Sequence, residues 1–293
     1  MRANIVTAAK SKILVGDGAM GTELMKRGLA PGACPELWNA DEPEKVLDVL
    51  KSYRAAGADT LITNTFGGNR WKLAAFDLAG RTAELNKAAV AIARKAAGAT
   101  AYVFGDMGPT GRFMEPLGTD PRDAFVEVYS QQAQALADAG ADAVILETFM
   151  SLDEILAGVE AAKATGLCVI ASMSFNREAS GSFRTMMGND IASSVKALDE
   201  AGADMIAANC GLGAEHYADI AREMTAATSR PVMVQPNAGM PTLVGGKTAF
   251  PMTADEFAGY VPAIIKAGAR IVGGCCGTTP DHIRAIRRIV DGL

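Results

Sequence analysis

One pattern of apolar and polar positions recurs four times along the chain. The segments AGADTLITNTF, AGADAVILETF, AGADMIAANCG and AGARIVGGCCG begin at Ala56, Ala139, Ala201 and Ala267. Each follows a stretch with helical spacing and opens on Ala-Gly, and glycine is common just past the end of a helix. Each continues with apolar or small residues, which is typical of a strand buried in a parallel sheet. The recurrence predicts helices that alternate with the strands of a parallel sheet.

Weaker copies of the strand pattern complete the set. KILVG, AYVFG, CVIASM and PVMVQ, at residues 12–16, 101–105, 168–173 and 231–235, bring the number of predicted strands to eight. Eight strand–helix units in 293 residues predict an α/β fold of the TIM (β/α)8 barrel class. An open doubly wound sheet is the alternative, although no GxGxxG motif follows the first strand. Helices are expected between the strands, at residues 43–56, 81–97, 121–139, 151–165 and 190–201.

Composition narrows the class of protein. The chain is 49% hydrophobic and 21% charged with a net charge of −5, which argues against disorder and against nucleic-acid binding. It contains neither a run of about 18 apolar residues nor a signal-peptide pattern, so we expect no membrane span and a cytoplasmic location. Five cysteines in such a chain argue against a disulfide framework. With no linker or low-complexity segment, residues 1–293 are predicted to form a single domain.

The recurring segment also predicts which residues share one end of the barrel. Positions seven and eight after each Ala-Gly glycine fall where the strand ends, and Asp17 and Asp106 follow the first and third strands at the same level. TIM barrels carry their chemistry at this carboxyl-terminal mouth. The equivalent positions are Asn64, Glu147, Asn209 and Cys275, followed by Thr65, Thr148, Cys210 and Cys276.

Three thiols are therefore expected to converge at the mouth. Cys210, Cys275 and Cys276 suit a catalytic zinc, which takes three protein ligands and leaves one position open. Neighbouring residues on a strand face opposite ways, so Cys275 and Cys276 need a break in the strand to share a metal. The glycines of GGCCG permit such a break.

Other interpretations of these residues remain open. Buried cysteine often packs as a small hydrophobe, which is what we expect of Cys34 and Cys168. GGCCGTTPDHI could instead cradle a phosphate, because it is glycine-rich and opens a helix with Thr279 as N-cap and Pro280 at the first position. A redox pair is disfavoured because the motif is CC rather than CxxC. The two histidines, His216 and His282, are expected to be surface or capping residues.

Seven motifs in order resemble the homocysteine S-methyltransferase family: DGAMGTEL, NTFGGNRWKL, GDMGPTG, ETF, NCGLG, QPNAG and GGCCGTTPDHI. The resemblance spans residues 12–290, and DGAMGTE, GDMGPTG and QPNAG are most similar to the homocysteine-binding domain of cobalamin-dependent methionine synthases. It implies a TIM barrel in which Cys210, Cys275 and Cys276 hold a catalytic Zn²⁺, and an S-methyltransferase that makes methionine from homocysteine.

The resemblance also implies how the substrate is held. Asp17 and Glu147 match the acidic residues that bind the homocysteine ammonium, although either could instead cap a loop or helix. A helix start binds carboxylates well, so Met20, Gly21 and Thr22 are expected to hold the substrate carboxylate, unless that helix start binds nothing. Asn237 in QPNAG is expected near the metal or the substrate.

The methyl donor is inferred by elimination. Betaine-using relatives box a quaternary ammonium with aromatic rings, whereas this chain has Phe66-Gly67-Gly68 after the second strand and Thr148 where those relatives have tyrosine. Trp38 and Trp71 keep betaine open, and S-methylmethionine-using relatives resemble the chain less. One barrel accounts for the length, so the resemblance implies methylcobalamin on a separate corrinoid protein, as in a split methionine synthase. The alternatives are a betaine- or S-methylmethionine-dependent enzyme and a non-catalytic zinc module that binds homocysteine.

Overall fold

Eight parallel strands pair in the order 1-8-7-6-5-4-3-2 and roll into a nearly closed barrel with helices around it. The computed structural model describes residues 3–244 and 247–293. The architecture confirms the predicted TIM barrel, and the open doubly wound sheet was wrong. The barrel strands are Leu14–Val15, Thr60–Ile62, Tyr102–Met107, Ala143–Phe149, Cys168–Met173, Met205–Gly213, Val232–Asn237 and Ala269–Val272.

The helices surround the barrel close to the predicted positions. Within the described residues they are Ile5–Ser11, Met20–Lys26, Trp38–Asp41, Pro43–Ala55, Arg70–Ala74, Thr82–Ala97, Arg122–Asp138, Leu152–Lys163, Ile191–Glu200, Tyr217–Ala227, Ala254–Lys266 and Pro280–Asp291. No helix of the described chain is both long and apolar enough to cross a membrane.

Several details differ from the predicted elements. The third strand continues to Met107, so Asp106 lies inside it rather than after it. The helix Ile5–Ser11 was not predicted, and its short apolar side closes the bottom of the barrel. Two small antiparallel hairpins were also missed, in the loops after the fifth and seventh strands. They pair Asn176–Arg177 with Phe183–Arg184, and Thr242–Val244 with Lys247–Ala249.

The aspartates of the recurring AGAD segment explain why that segment recurs on every second strand. Each aspartate immediately precedes an even-numbered strand and bonds to one valine of the strand before it, through both its backbone N–H and its carboxylate. Backbone and side chain together thus fasten each odd strand to the next even one. The carboxylate contacts are Val15 N to Asp59 Oδ2 at 2.9 Å, Val103 N to Asp142 Oδ2 at 2.7 Å and Val169 N to Asp204 Oδ2 at 2.9 Å.

The fourth segment has arginine in place of this aspartate. Arg270 donates from its guanidinium to the carbonyl oxygens of Ala9 and Lys10, at 2.7 and 3.0 Å. It therefore ties the eighth strand to the helix that closes the barrel bottom.

Alternation along the strands arranges the barrel interior in layers. An apolar layer includes Phe104, Ile145, Ile170, Ala207 and Met233, all buried. Because side chains two residues apart share a face of a strand, the next layer toward the mouth is polar. That layer contains Asp106, Glu147, Ser172, Asn209 and Gln235.

Candidate active site

Three thiols meet at the barrel mouth. The sulfur atoms of Cys210, Cys275 and Cys276 all lie within 4.8 Å of one another, and those of Cys275 and Cys276 are 4.0 Å apart. All three residues are half-buried. This is the one group of potential metal ligands that residues 3–244 and 247–293 bring together.

The chain leaves strand geometry before the two adjacent cysteines. The eighth strand ends at Val272, and the segment beyond it is held by the seventh strand and the loop after it, through Cys275 N to Pro236 O at 2.7 Å and Ala238 N to Cys276 O at 3.0 Å. Gly277 has φ +80°, a conformation that L side chains rarely adopt. The predicted break is present, and it lets both thiols face Cys210.

Cys210 reaches the group through a strained backbone. Its φ is +60°, which is rare for a residue with a side chain. The buried Tyr217 hydroxyl donates to the Cys210 carbonyl oxygen at 2.7 Å and so holds this conformation. Strain maintained by the surrounding structure is common where a side chain must be aimed at a reacting centre.

The charges of the trio suit a divalent metal. Hydrogen bonds from the Cys275 and Cys276 thiols lower the pKa of Cys210 to about 3, and the Gly211 N–H and the Asn237 side chain add to the effect. The hydrogen bond to Cys210 in turn raises the pKa of Cys276 to about 12 and that of Cys275 well above its usual value. In the metal-free chain the trio thus carries one negative charge, and a dication would displace two more protons. The donor set fits tetrahedral zinc with one open position.

Carboxylates lie deeper in the same mouth. Asp17 is only 1% exposed, and its Oδ2 accepts from Ile62 N at 2.7 Å, while its Oδ1 has no hydrogen-bond partner among the described residues. Burial and the nearby charge of Glu147 raise the pKa of Asp17. Burial, followed by the charge of Cys210, raises the pKa of Glu147 to about 7. A bound cation would stabilise the ionised form of both carboxylates and so lower their pKa values.

Two further polar residues lie in this mouth: Asp106, which the sequence placed at this level without a role, and Gln235, which it did not place. Asp106 Oδ1 and Gln235 Oε1 are buried without a hydrogen-bond partner in the described chain. Burial raises the pKa of Asp106, and the charges of Glu147, Glu36 and Asp17 raise it further. Alternation along the seventh strand could have found Gln235, since it follows the inward-facing Met233 by two positions.

The predicted carboxylate-binding residues lie beside the thiol loop. Met20, Gly21 and Thr22 form the first turn of the helix Met20–Lys26, and Ala19 is its N-cap. Ala19 N donates to Thr278 Oγ1 at 3.1 Å, and Thr278 Oγ1 donates to Cys275 O at 2.7 Å. The first-turn N–H groups of a helix have no partner inside it, so they are available to an anion.

Two of the residues that the recurring segment placed at the mouth have structural contacts instead of facing the thiols. The Asn64 amide donates to Pro35 O at 2.7 Å and to Asn39 Oδ1 at 3.0 Å, so it braces a loop. Thr65 Oγ1 donates to Asp106 O at 2.8 Å and supports the third strand. Asn237 is 4% exposed and lies against Cys210, with its Oδ1 unpartnered among the described residues.

The remaining cysteines and histidines lie outside this group. His282 accepts from Thr279 N at 3.2 Å at the start of the helix Pro280–Asp291, which confirms it as a capping residue, with Thr279 as N-cap. Cys34 is buried beside Glu36, and Cys168 begins the fifth strand at the opposite end of the barrel. Burial raises the pKa of each of these two thiols to about 12.

Known proteins are similar to this chain in sequence and in fold. Methionine synthase of Mycobacterium tuberculosis is 33% identical over an alignment of 309 positions, which covers 99% of this chain but only 26% of that protein. The chain thus spans 26% of the length of this curated relative, and the same share of methionine synthase from Mycobacterium leprae.

A solved structure is similar over its full length. The metallated form of the homocysteine methyltransferase MmuM from Escherichia coli is 28% identical with a TM-score of 0.79, and the alignment covers 97% of this chain and 99% of that one. The family model for homocysteine S-methyltransferase matches residues 14–290, which carry both the thiol trio and the carboxylates. The chain belongs to the homocysteine S-methyltransferase family.

Proposed function

We propose that the chain transfers a methyl group to the thiol of homocysteine and so produces methionine, at a zinc ion held by Cys210, Cys275 and Cys276. The observation that carries this proposal is the meeting of three half-buried thiols within 4.8 Å at the mouth of the barrel. A closed four-thiolate set is typical of a structural zinc, whereas three ligands and an open position are typical of a catalytic one.

A zinc ion held by the three cysteines would supply the positive charge that keeps the homocysteine sulfur deprotonated at neutral pH. The chain's own residues then orient the substrate. Asp17 and Glu147 would bind its ammonium, and the first-turn N–H groups of Met20, Gly21 and Thr22 would bind its carboxylate. Asn237, which hydrogen-bonds to Cys210, would approach the metal or the substrate.

The reaction needs little acid–base machinery from the protein. A new S–C bond forms as the bond between the methyl carbon and its donor breaks, and the leaving group keeps that electron pair. The role of the side chains is therefore to aim the sulfur and hold it near the donor. This agrees with the location of His282, whose ring nitrogens are engaged with Thr279 and Met252.

The apolar rim of the mouth favours a methyl group delivered by a separate methylcorrinoid protein. Most of the exposed large apolar side chains of the described chain lie in loops that follow barrel strands, at the mouth end of the barrel. Exposed apolar side chains gathered at one end of the barrel would suit contact with another macromolecule. These rim residues are Phe66, Phe113, Leu117, Met150, Met186, Met187, Met240 and Leu243.

A small sulfonium donor such as S-methylmethionine is the second candidate. The alignment with MmuM covers 99% of that chain, so one barrel of this size occurs in a protein named as a homocysteine methyltransferase. Betaine is less favoured, because Lys45 lies 4.6 Å from the ring centre of Trp38 and Arg112 lies 4.3 Å from that of Trp71. Each indole thus already carries a cation of the chain on one face.

The test combines metal content with a donor screen. Purified protein should hold about one zinc per chain and methylate homocysteine from methylcobalamin faster than from S-methylmethionine or betaine. Cys275→Ser should lose both zinc and activity, whereas Cys168→Ser, at the other end of the barrel, should keep both. Wild-type turnover without a metal would overturn the zinc mechanism. Preference for a sulfonium would establish the second candidate, and homocysteine binding without turnover on any donor would indicate a binding module.

A further inference from the structure

The side chain of Asn209 contacts the fourth strand, the fifth strand and the segment after the eighth strand. It is fully buried, and its Oδ1 accepts from Thr148 N at 2.8 Å and from Ser172 Oγ at 2.7 Å. A backbone N–H can only donate, so this contact identifies the oxygen of the amide. Its Nδ2 therefore faces Thr148 Oγ1 at 2.7 Å and Cys275 Sγ at 3.7 Å. Every hydrogen-bonding position of the amide is used, so the donor aimed at the sulfur is fixed in place.

We propose that Asn209 is a positioning residue that holds Cys275 and lowers the nucleophilicity of its sulfur, so that the methyl group goes to the substrate instead. This inference rests on the proposed function. A hydrogen bond from an N–H to a thiolate draws electron density from the sulfur and is stronger than one between neutral groups. The buried location of Asn209 strengthens it further, since little water competes there.

A less nucleophilic Cys275 would avoid a side reaction, the methylation of a metal ligand in place of the substrate. Three ligand thiolates and the substrate thiolate at one metal are similar nucleophiles, and each could attack the same methyl carbon. Attack by Cys275 would form its S–CH₃ bond as the donor bond breaks, and would leave a thioether in place of an anionic ligand. The chain gives N–H donors to two of its ligand sulfurs: Asn209 to Cys275, and Gly211 with Asn237 to Cys210.

The same amide links the thiol to the carboxylate side of the pocket. Thr148 follows Glu147 and has φ +64°, which is strained for a β-branched residue. Asn209 bonds to both the N–H and the hydroxyl of Thr148 and so stabilises that conformation. One side chain thus sets the spacing between the proposed ammonium site at Glu147 and the proposed metal ligand Cys275.

The experiment maps methylation of the ligand cysteines rather than catalysis. Zinc-loaded wild-type protein and variants are treated with iodomethane without homocysteine, and the methylated cysteines are quantified by peptide mass spectrometry. Zinc affinity is measured in parallel by competition with a chelator. Asn209→Leu removes the amide, and Asn209→Asp keeps both acceptor contacts but replaces the N–H donor. Ser172→Ala is the matched control, because it removes one hydrogen bond to the same amide but no donor to sulfur.

Methylation of Cys275 should rise about tenfold in both Asn209 variants, which is the size expected for a lost hydrogen bond to a charged group. Zinc affinity should fall by about tenfold, as for other residues that orient metal ligands. Ser172→Ala should leave Cys275 methylation at the wild-type rate. If Asn209→Leu does not fold, the same measurements on the isosteric Asn209→Asp variant test the inference. Wild-type rates of Cys275 methylation together with wild-type zinc affinity in a folded Asn209 variant would overturn the inference. Failure of wild-type protein to bind zinc would instead overturn the proposed function.

Discussion

The carboxylate of Asp17 accepts a 2.7 Å hydrogen bond from the backbone N–H of Ile62 and so joins two strands that form no ladder with each other. The first and second strands are the ends of the pairing order, and within the described chain this junction is held by Asp17 at the mouth and by Asp59 at the bottom. One oxygen of Asp17 is thus structural, and the other is left for the pocket.

Asp17→Asn should separate these two roles. The asparagine oxygen can still accept from Ile62, whereas the charge that would attract the substrate ammonium is lost. We expect KM for homocysteine to rise by about tenfold or more, the effect of a lost charge-assisted hydrogen bond, with a nearly unchanged Tm. Asp59→Asn is the matched control at the other end of the junction, where it weakens the ion pair with Arg287 and should leave KM unchanged. A KM for Asp17→Asn equal to that of wild type would exclude Asp17 from ammonium binding.

Tyr217→Phe should loosen the thiol trio without altering any thiol. It removes the 2.7 Å hydrogen bond to the Cys210 carbonyl that holds the left-handed backbone. Unfolding free energy should fall by about 1 kcal/mol, and zinc affinity by about tenfold. Tyr129→Phe also removes a buried tyrosine hydroxyl, one that donates to Glu154, and should lower stability alone. Equal zinc affinities in the two variants would contradict the role assigned to Tyr217.

Glu147 should make the metal-free protein less stable as pH rises toward neutrality. Burial raises its pKa from the ordinary 4.5 to about 7, so the folded state binds more protons than the unfolded state between these values. Unfolding free energy should therefore fall with rising pH in this window, by at most about 1.4 kcal/mol per pH unit from this group. Denaturant titrations of wild type and Glu147→Gln at several pH values check this. The difference between the two proteins should be flat below pH 4.5, and a flat difference up to pH 7 would contradict the shift.

Much of the barrel could be predicted because apolar runs and Ala-Gly joints are local signals. The fifth strand occupies the predicted residues 168–173, and the helix Pro43–Ala55 begins where its proline indicates. The helix Ile5–Ser11 was missed because its short apolar side is defined only by the barrel bottom it covers. The hairpins were missed because their pairing is set by the loops that they extend.

The candidate site could be predicted from the sequence only in part, for a related reason. Equivalence of strand ends placed Cys210 with Cys275 and Cys276, because parallel strands bring equivalent residues to one level. It could not show that Asn64 turns to brace a loop, or that Asn209 is held by Ser172. Those outcomes depend on side-chain partners supplied by distant segments. The sequence placed Asp106 at the mouth from its position after the third predicted strand, whereas Gln235 could have been found from alternation along the seventh strand.

Because of the AGAD aspartates, the repeating structural unit of the barrel is a pair of strands rather than a single strand. Each fastens an even strand to the odd strand before it, and the even strands supply Glu147, Cys210 and the segment with Cys275. Duplication or loss of one strand–helix unit would put odd strands where even ones belong and bring the wrong residues to the mouth. A change of two units would preserve the phase. Chimaeras and circular permutants of this barrel should therefore be cut between odd–even pairs rather than within them.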